Sequence, residues 1–235
     1  MGQKKLIRFA EVNTFDNVLQ YPEDMAGNWN LHFKNNNPVI LELACGKGEY
    51  TLGLAQLYPS KNFIGVDLKG NRLWVGAKKA VLEGLQNVAF LRIQIEGIAS
   101  YFNKDEVEEI WITFPDPQLR ISKSKKRLTH PKFLRMYQHI LTPGGKIHLK
   151  TDSPDLYYFT RKVIDQYGCL LHDESDNIYG QPQLKPELSI KTHYEQLDIA
   201  QSNRIHYLSF SLPPQLPGVE IDKLLHEELK NEKTV

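Results

Sequence analysis

The sequence predicts an α/β domain built on a mostly parallel, seven-stranded sheet, with helices on both faces and an antiparallel end. Three observations carry this. From Pro38 onward, short runs rich in Ile, Val, Leu and Phe recur at residues 39–43, 63–67, 88–93, 109–114 and 146–150, as strands buried on both faces require. Apolar residues at helical spacing lie between several of these runs, and alternating strands and helices fold into a parallel sheet. Two later runs, 169–172 and 205–212, have no obvious helix of ten or more residues between them and should close the sheet as an antiparallel pair.

Residues 1–37 are polar, with Trp29 and Phe33 as lone anchors, and read as an N-terminal arm laid over a single domain of residues 38–235. A chain of 235 residues with 41% hydrophobic and 24% charged residues can bury a sizeable core. No apolar stretch exceeds four residues, as in Val88-Ala89-Phe90-Leu91, far short of the roughly 20 that a spanning helix needs. Lys4 and Lys5 are followed by no apolar segment, so no secretory leader is expected. Cys45 and Cys169 are far apart and belong to no Cys-x-x-Cys pair, which argues against a disulfide framework or zinc site and favours a cytoplasmic setting.

The first strand runs into Glu42-Leu43-Ala44-Cys45-Gly46-Lys47-Gly48, and the second ends at Asp67. Gly46 and Gly48 let backbone approach a ligand closely, and a carboxylate some twenty residues on can take both ribose hydroxyls. These features fit an adenosine-containing ligand, either a dinucleotide or S-adenosylmethionine. Thr51 stands where a dinucleotide fingerprint needs its third glycine, which weakens that choice. Glu42 would crowd a pyrophosphate but suits a sulfonium cation.

Next, Asn71 can cap a helix carrying Leu73, Ala77, Ala80, Val81 and Leu85 and ending near Gly84. The fourth strand leads into Pro115-Asp116-Pro117, where flanking prolines hold a carboxylate at the ligand edge. Residues 118–135 then carry Arg120, Lys123, Lys125, Lys126, Arg127, Lys132 and Arg135 without an acidic residue, a basic patch hidden by a net charge of only +1. Such a patch is either a solvated loop or a phosphate rail. Pro131 can open a helix that Gly144-Gly145 stops. The polar stretch 173–203 is long for an unstructured connection, as functional loops are. Asp152 or Ser153 can cap the helix that Pro154 opens, and Thr192-x-x-Glu195 has capping-box spacing. No metal-ligand spacing and no Gly-x-Ser-x-Gly elbow occurs.

Taken together, Gly27-Asn28-Trp29-Asn30, the turn from Glu42 to Gly48, Phe114-Pro115-Asp116-Pro117, Leu149-Lys150-Thr151-Asp152 and Thr192-His193-Tyr194-Glu195 resemble the tRNA (guanine-N7)-methyltransferase family. The resemblance implies a Rossmann-like class I methyltransferase fold, S-adenosylmethionine as cofactor, tRNA as partner, and formation of 7-methylguanosine at position 46 of the variable loop. It implies that Glu42, Gly46, Gly48, Asp67, Glu96 and Asp116 form the cofactor site, with Asp116 as the principal catalytic residue. Arg120, Asp152, Thr192, His193, Tyr194 and Glu195 would bind substrate, and Lys123, Lys125, Lys126 and Arg127 would form the phosphate patch, with Lys4, Lys5 and Arg8 as the alternative rail. A monomer or homodimer without an obligate protein partner is expected. Ala44 departs from the family's usual glycine, and Gln118-Leu119-Arg120 from its usual Trp-x-Lys. An amino-group methyltransferase would place Asp-Pro-Pro-Tyr after the fourth strand, and a non-catalytic RNA-binding scaffold would need no cofactor.

Overall fold

The computed structural model describes residues 7, 8, 10–197 and 204–232, apart from the side chains of Tyr194 and Glu232. Its strands are β1 (Val18–Gln20), β2 (Val39–Leu43), β3 (Asn62–Val66), β4 (Val88–Arg92), β5 (Val107–Thr113), β6 (Leu141–Thr151), β7 (Leu170–Ser175) and β8 (His206–Ser211). They form one sheet in the order β1-β4-β3-β2-β5-β6-β8-β7. Pairing is parallel from β1 to β6, and β8 lies antiparallel between β6 and β7.

Among the described residues the sheet therefore has eight strands, and the seven expected from sequence are all present. The eighth is Val18–Gln20, which pairs with β4 through Val18↔Phe90 and Gln20↔Arg92. Three residues are too few to show a periodic pattern, so the arm's contribution could not be read from sequence. The arm is also anchored more deeply than two lone aromatics suggest. Trp29, opening the short helix α1 (Trp29–Phe33), is fully buried, stacks on Phe102 at 5.2 Å and donates its indole N–H to Tyr101 O at 2.9 Å.

Strand periodicity sorts side chains onto two faces. Leu41, Leu43, Ile110, Ile112, Ile147 and Leu149 point into a core closed by α4 (Pro131–Ile140), α5 (Pro154–Gln166) and α8 (Val219–Glu232). On the other face, Ile40, Phe63, Phe90, Trp111 and Tyr207 pack under α2 (Glu49–Leu57) and α3 (Gly70–Leu82). Pro131 occupies the first turn of α4 as expected, with His130 capping it through Nδ1 at 3.0 Å from Lys132 N. Burial pushes the His130 imidazole down to about 4, so it stays a neutral acceptor. Two boundaries differ from expectation. Helix α3 starts at Gly70 with Lys69 before it, leaving Asn71 inside the first turn, and α4 ends at Ile140 with β6 beginning at Leu141, so Gly144-Gly145 lie inside the strand and do not stop the helix.

The described part of the polar stretch after β7, up to residue 197, is structured rather than loose. It contains a 3-10 turn (Ile178–Gly180) and two short helices, α6 (Pro186–Ser189) and α7 (His193–Gln196), with Ile178 and Leu188 buried against the α2 face. No described helix is long and apolar enough to cross a membrane.

Candidate active site

Residues implied by the sequence collect at the carboxyl edge of the parallel strands, where open α/β sheets bind ligands. After β2, the turn is held by Gly48 N–H to Cys45 O at 2.8 Å and by Cys45 N–H to Val66 O at 3.0 Å. Gly48 is left-handed (φ +73°), and a Cβ there would come within 2.5 Å of the Phe90 ring. Any side chain would push the turn off β4.

Asp67, buried at the end of β3, ties this turn to its own strand. Oδ2 accepts from Gly46 N at 3.0 Å and Oδ1 from Lys69 N at 2.7 Å. Each carboxylate oxygen has a second acceptor site, so two hydroxyls of a ribose can still be bound. Glu42 is more enclosed. Oε2 accepts from Thr51 N at 2.8 Å and from the Thr51 hydroxyl, and Oε1 accepts from Thr113 Oγ1 at 2.6 Å. Burial outweighs these bonds and pushes its carboxyl up to about 7. Glu42 thus joins β2, α2 and β5 beneath the turn. Glu96 lies exposed on the 3-10 turn Ile95–Ser100 after β4. Close backbone approach, a ribose-competent carboxylate and a buried acid that a cation would keep ionised together fit S-adenosylmethionine.

Asp116 is exposed beyond β5, and its Oδ1 accepts from Gln118 N at 3.0 Å. The loop carrying it is strained: Phe114 (φ +47°) and Gln118 (φ +48°) both hold left-handed backbone, and Phe114 does so before a proline. Arg127 restrains this loop. Its Nε donates to Pro117 O at 3.1 Å, Nη2 donates to Gln118 O at 3.3 Å, and the guanidinium lies 4.4 Å from the Phe159 ring centroid. Only 4% exposed, Arg127 has no free face to offer as part of a phosphate rail, and its expected place there is corrected. The patch loses Arg135 too, which pairs with Asp222 of α8 at 2.8 Å. Arg120, Lys123, Lys125 and Lys126 remain exposed on and beside the 3-10 turn Ile121–Lys126. Lys4 and Lys5 lie outside the described residues, while Arg8 covers the Trp74 ring at 4.6 Å.

Ser153 is the cap of α5, accepting from Leu156 N at 3.3 Å, which leaves Asp152 half-buried just past β6. Thr192 is buried and accepts from Glu195 N at 3.1 Å, the forward half of a capping box. The reverse half is missing, because the Glu195 carboxylate goes elsewhere: Oε2 to Lys150 Nζ at 2.9 Å and Oε1 to the Tyr179 hydroxyl. His193 is half-buried on α7, and of Tyr194 only the backbone is described.

Lys150 was missed as a site residue. It is fully buried near the end of β6, and its ammonium also donates to Leu188 O at 2.9 Å and Ile190 O at 2.8 Å. It stands 5.6 Å from the Phe114 ring centroid, and Phe114 N donates to Lys150 O at 2.8 Å. Lys150 therefore brings the segment around α6 and α7 beside the Asp116 loop. A lysine at an inward position of a buried strand was the available signal.

Comparison with known proteins assigns the chain to a family. A family model described as "Putative methyltransferase" matches residues 36–208. The chain is 46% identical over 213 residues to a tRNA (guanine-N(7)-)-methyltransferase of Porphyromonas gingivalis, covering 86% of each chain. It is 44% identical to that of Christiangramia forsetii, covering 90% of this chain and 100% of the other. Among solved structures, the 16S rRNA methyltransferase KamB superposes with a TM-score of 0.62 at 15% identity, covering 84% of this chain and 99% of that one, which supports the fold alone. The chain belongs to the tRNA (guanine-N7)-methyltransferase family, whose activity is methyl transfer from S-adenosylmethionine to guanine N7 in tRNA.

Proposed function

We propose that the methylated guanine is the one at position 46 of the tRNA variable loop and that Asp116 receives it. The observation that carries this reading is the Asp116 carboxylate, exposed at the strand edge on a loop pinned by Pro115, Pro117 and Arg127. Guanine N7 has an in-plane lone pair that is free in the neutral base. No base is needed to remove a proton before attack, so positioning dominates. Asp116 accepts hydrogen bonds from guanine N1–H and the 2-amino group and offsets the positive charge that methylation places on the purine. S-adenosylmethionine supplies a methyl group on a cationic sulfur. Asp67 takes the ribose hydroxyls, Glu42 provides negative charge beneath the glycine turn, and Glu96 lies on the adenosine side. Holding N7 in line with the methyl group accounts for several kcal/mol of the acceleration.

Arg120, Asp152 and His193 form the substrate side, with Lys123, Lys125 and Lys126 following the tRNA backbone, while buried Thr192 positions His193 by capping α7. Glu195 contributes by holding the α6–α7 segment in place. Reaching N7 requires drawing the base partly out of its tertiary stack. The protein acts in the cytoplasm, as its widely separated thiols suggest, as a monomer or homodimer.

The test is incubation with unmodified tRNA and methyl-labelled S-adenosylmethionine, followed by cleavage at 7-methylguanine. One labelled guanine at position 46 is expected, and Asp116→Asn should keep cofactor affinity while losing most turnover. Label at another guanine would reject the position, and undiminished turnover in the variant would reject the role of Asp116.

A further inference from the structure

Two aromatic residues of the described chain hold left-handed backbone, Tyr21 (φ +46°) and Phe114 (φ +47°). Each lies directly past the carboxyl end of a parallel-paired strand, β1 and β5, and each precedes a proline, Pro22 and Pro115. Bulky side chains disfavour this backbone, and a following proline disfavours it further. Strain of this kind persists where surrounding contacts enforce it, and it concentrates where ligands are handled. Phe114 leads to Asp116. Tyr21 takes the corresponding place at the far end of the same edge.

Specific contacts fix Tyr21 there. Its N–H donates to Arg92 O at 3.1 Å, and the Arg92 guanidinium lies 6.0 Å from its ring centroid. Arg92 Nε donates to Leu68 O at 3.1 Å and Nη1 to Gln20 Oε1 at 2.7 Å. Arg92 thus links Tyr21 to the residue immediately after Asp67. Upstream, the arm is fastened to α3 and β4: Glu11 accepts from Trp74 Nε1 at 2.9 Å and Lys78 Nζ at 3.0 Å, and Asn17 O accepts from Phe90 N at 2.7 Å. Despite this anchoring, Tyr21 is 49% and Leu68 46% exposed. Tyr21 and Leu68, joined through Arg92, therefore leave apolar surface open side by side at the strand edge.

Strand order supplies the ligand. The methyl group must approach Asp116 beyond β5, and the ribose belongs at Asp67 beyond β3, so the adenine continues in the same direction, past β4 and toward β1. We propose that Tyr21 and Leu68 wall the adenine of S-adenosylmethionine, with Arg92 bracing the Tyr21 ring. The arm is then part of the cofactor site. This rests on S-adenosylmethionine being the cofactor of the chain.

The test is calorimetric titration of the full chain with S-adenosylhomocysteine and, separately, with 5′-methylthioadenosine, which lacks the amino-acid half. Tyr21→Ala should weaken both by about tenfold, as loss of one aromatic–base contact does. Tyr21→Phe should bind both as the parent does, and so should Tyr158→Ala, which removes an exposed tyrosine from α5. A photoreactive 8-azidoadenosyl analogue should label the tryptic peptide spanning residues 9–34 of the parent protein, a result that does not depend on a variant folding. Parent-like binding by Tyr21→Ala with no label on that peptide would overturn the proposal. Weakening of S-adenosylhomocysteine alone would place Tyr21 against the amino-acid half and overturn the adenine assignment. Failure of the parent to bind either ligand would instead overturn the cofactor reading on which the proposal stands.

Discussion

The Lys150 ammonium lies 2.9 Å from the Glu195 carboxylate, and neither side chain is more than 4% exposed. Burial pushes the Lys150 ammonium pKa down, opposed by that carboxylate. Two backbone carbonyls and the Tyr179 hydroxyl complete the cluster, so one lysine fastens both short helices after β7 to the end of β6.

Lys150→Met should therefore cost about 3–5 kcal/mol, because it leaves a buried carboxylate unpaired. Proteolysis within residues 176–197 should rise, and KM for tRNA should rise more than KM for S-adenosylmethionine. The double variant Lys150→Met, Glu195→Gln should recover part of the loss, since both charges are then gone. Strictly additive losses would show that the pair does not act as a unit.

Arg127 and the exposed lysines should separate experimentally. The triple variant Lys123→Ala, Lys125→Ala, Lys126→Ala should weaken tRNA binding and flatten its dependence on salt, as removal of phosphate contacts does. Arg127→Ala should leave the salt slope near that of the parent but lower kcat, because the Asp116 loop loses its clamp at Pro117 O and Gln118 O. A salt slope reduced by Arg127→Ala as much as by loss of the lysines would return Arg127 to the rail.

The contrast shows which features were legible beforehand. Parallel strands, glycine turn and proline-flanked carboxylate were readable because each has a local signature in residue type and spacing. Arg127 was grouped with its neighbours because a charge run does not say which member turns inward. Only the packing of Phe159 and the carbonyls of residues 117 and 118 decides that. Strand β1 was too short to show a period, and Lys150 acquires its meaning from a segment some forty residues downstream.

Ala44, which stands where the resemblance implies a glycine, holds φ +57°. An L residue with a Cβ pays for this backbone, whereas glycine does not. Ala44→Gly should raise stability by about 0.5–1 kcal/mol, the relief of strain exceeding the added freedom of the unfolded chain. The midpoint of denaturant unfolding should shift upward with an unchanged slope, and S-adenosylmethionine affinity should stay near that of the parent. A lower midpoint would mean that the Ala44 methyl group contributes packing that outweighs its strain.

Glu42 offers a test of charge against stability. Its carboxyl is held near 7, above the ordinary carboxylate value, chiefly by burial. The folded state thus prefers the protonated form, and the stability this confers is present below about pH 4.5 and lost as pH rises through about 7. Glu42→Gln removes that pH dependence and keeps the hydrogen bonds, since its amide can accept from Thr51 and donate to the Thr113 hydroxyl. The variant should gain on the parent as pH rises from 5 to 8, by up to about 3 kcal/mol at the upper end. It should also bind S-adenosylmethionine less tightly while holding neutral S-adenosylhomocysteine almost as well, because only the former carries the sulfonium charge. In the parent, that preference for the cation should grow across the same pH range. An equal stability difference at both pH values would show that Glu42 does not titrate there, and equal losses for the two ligands would show that its charge does not reach the sulfur.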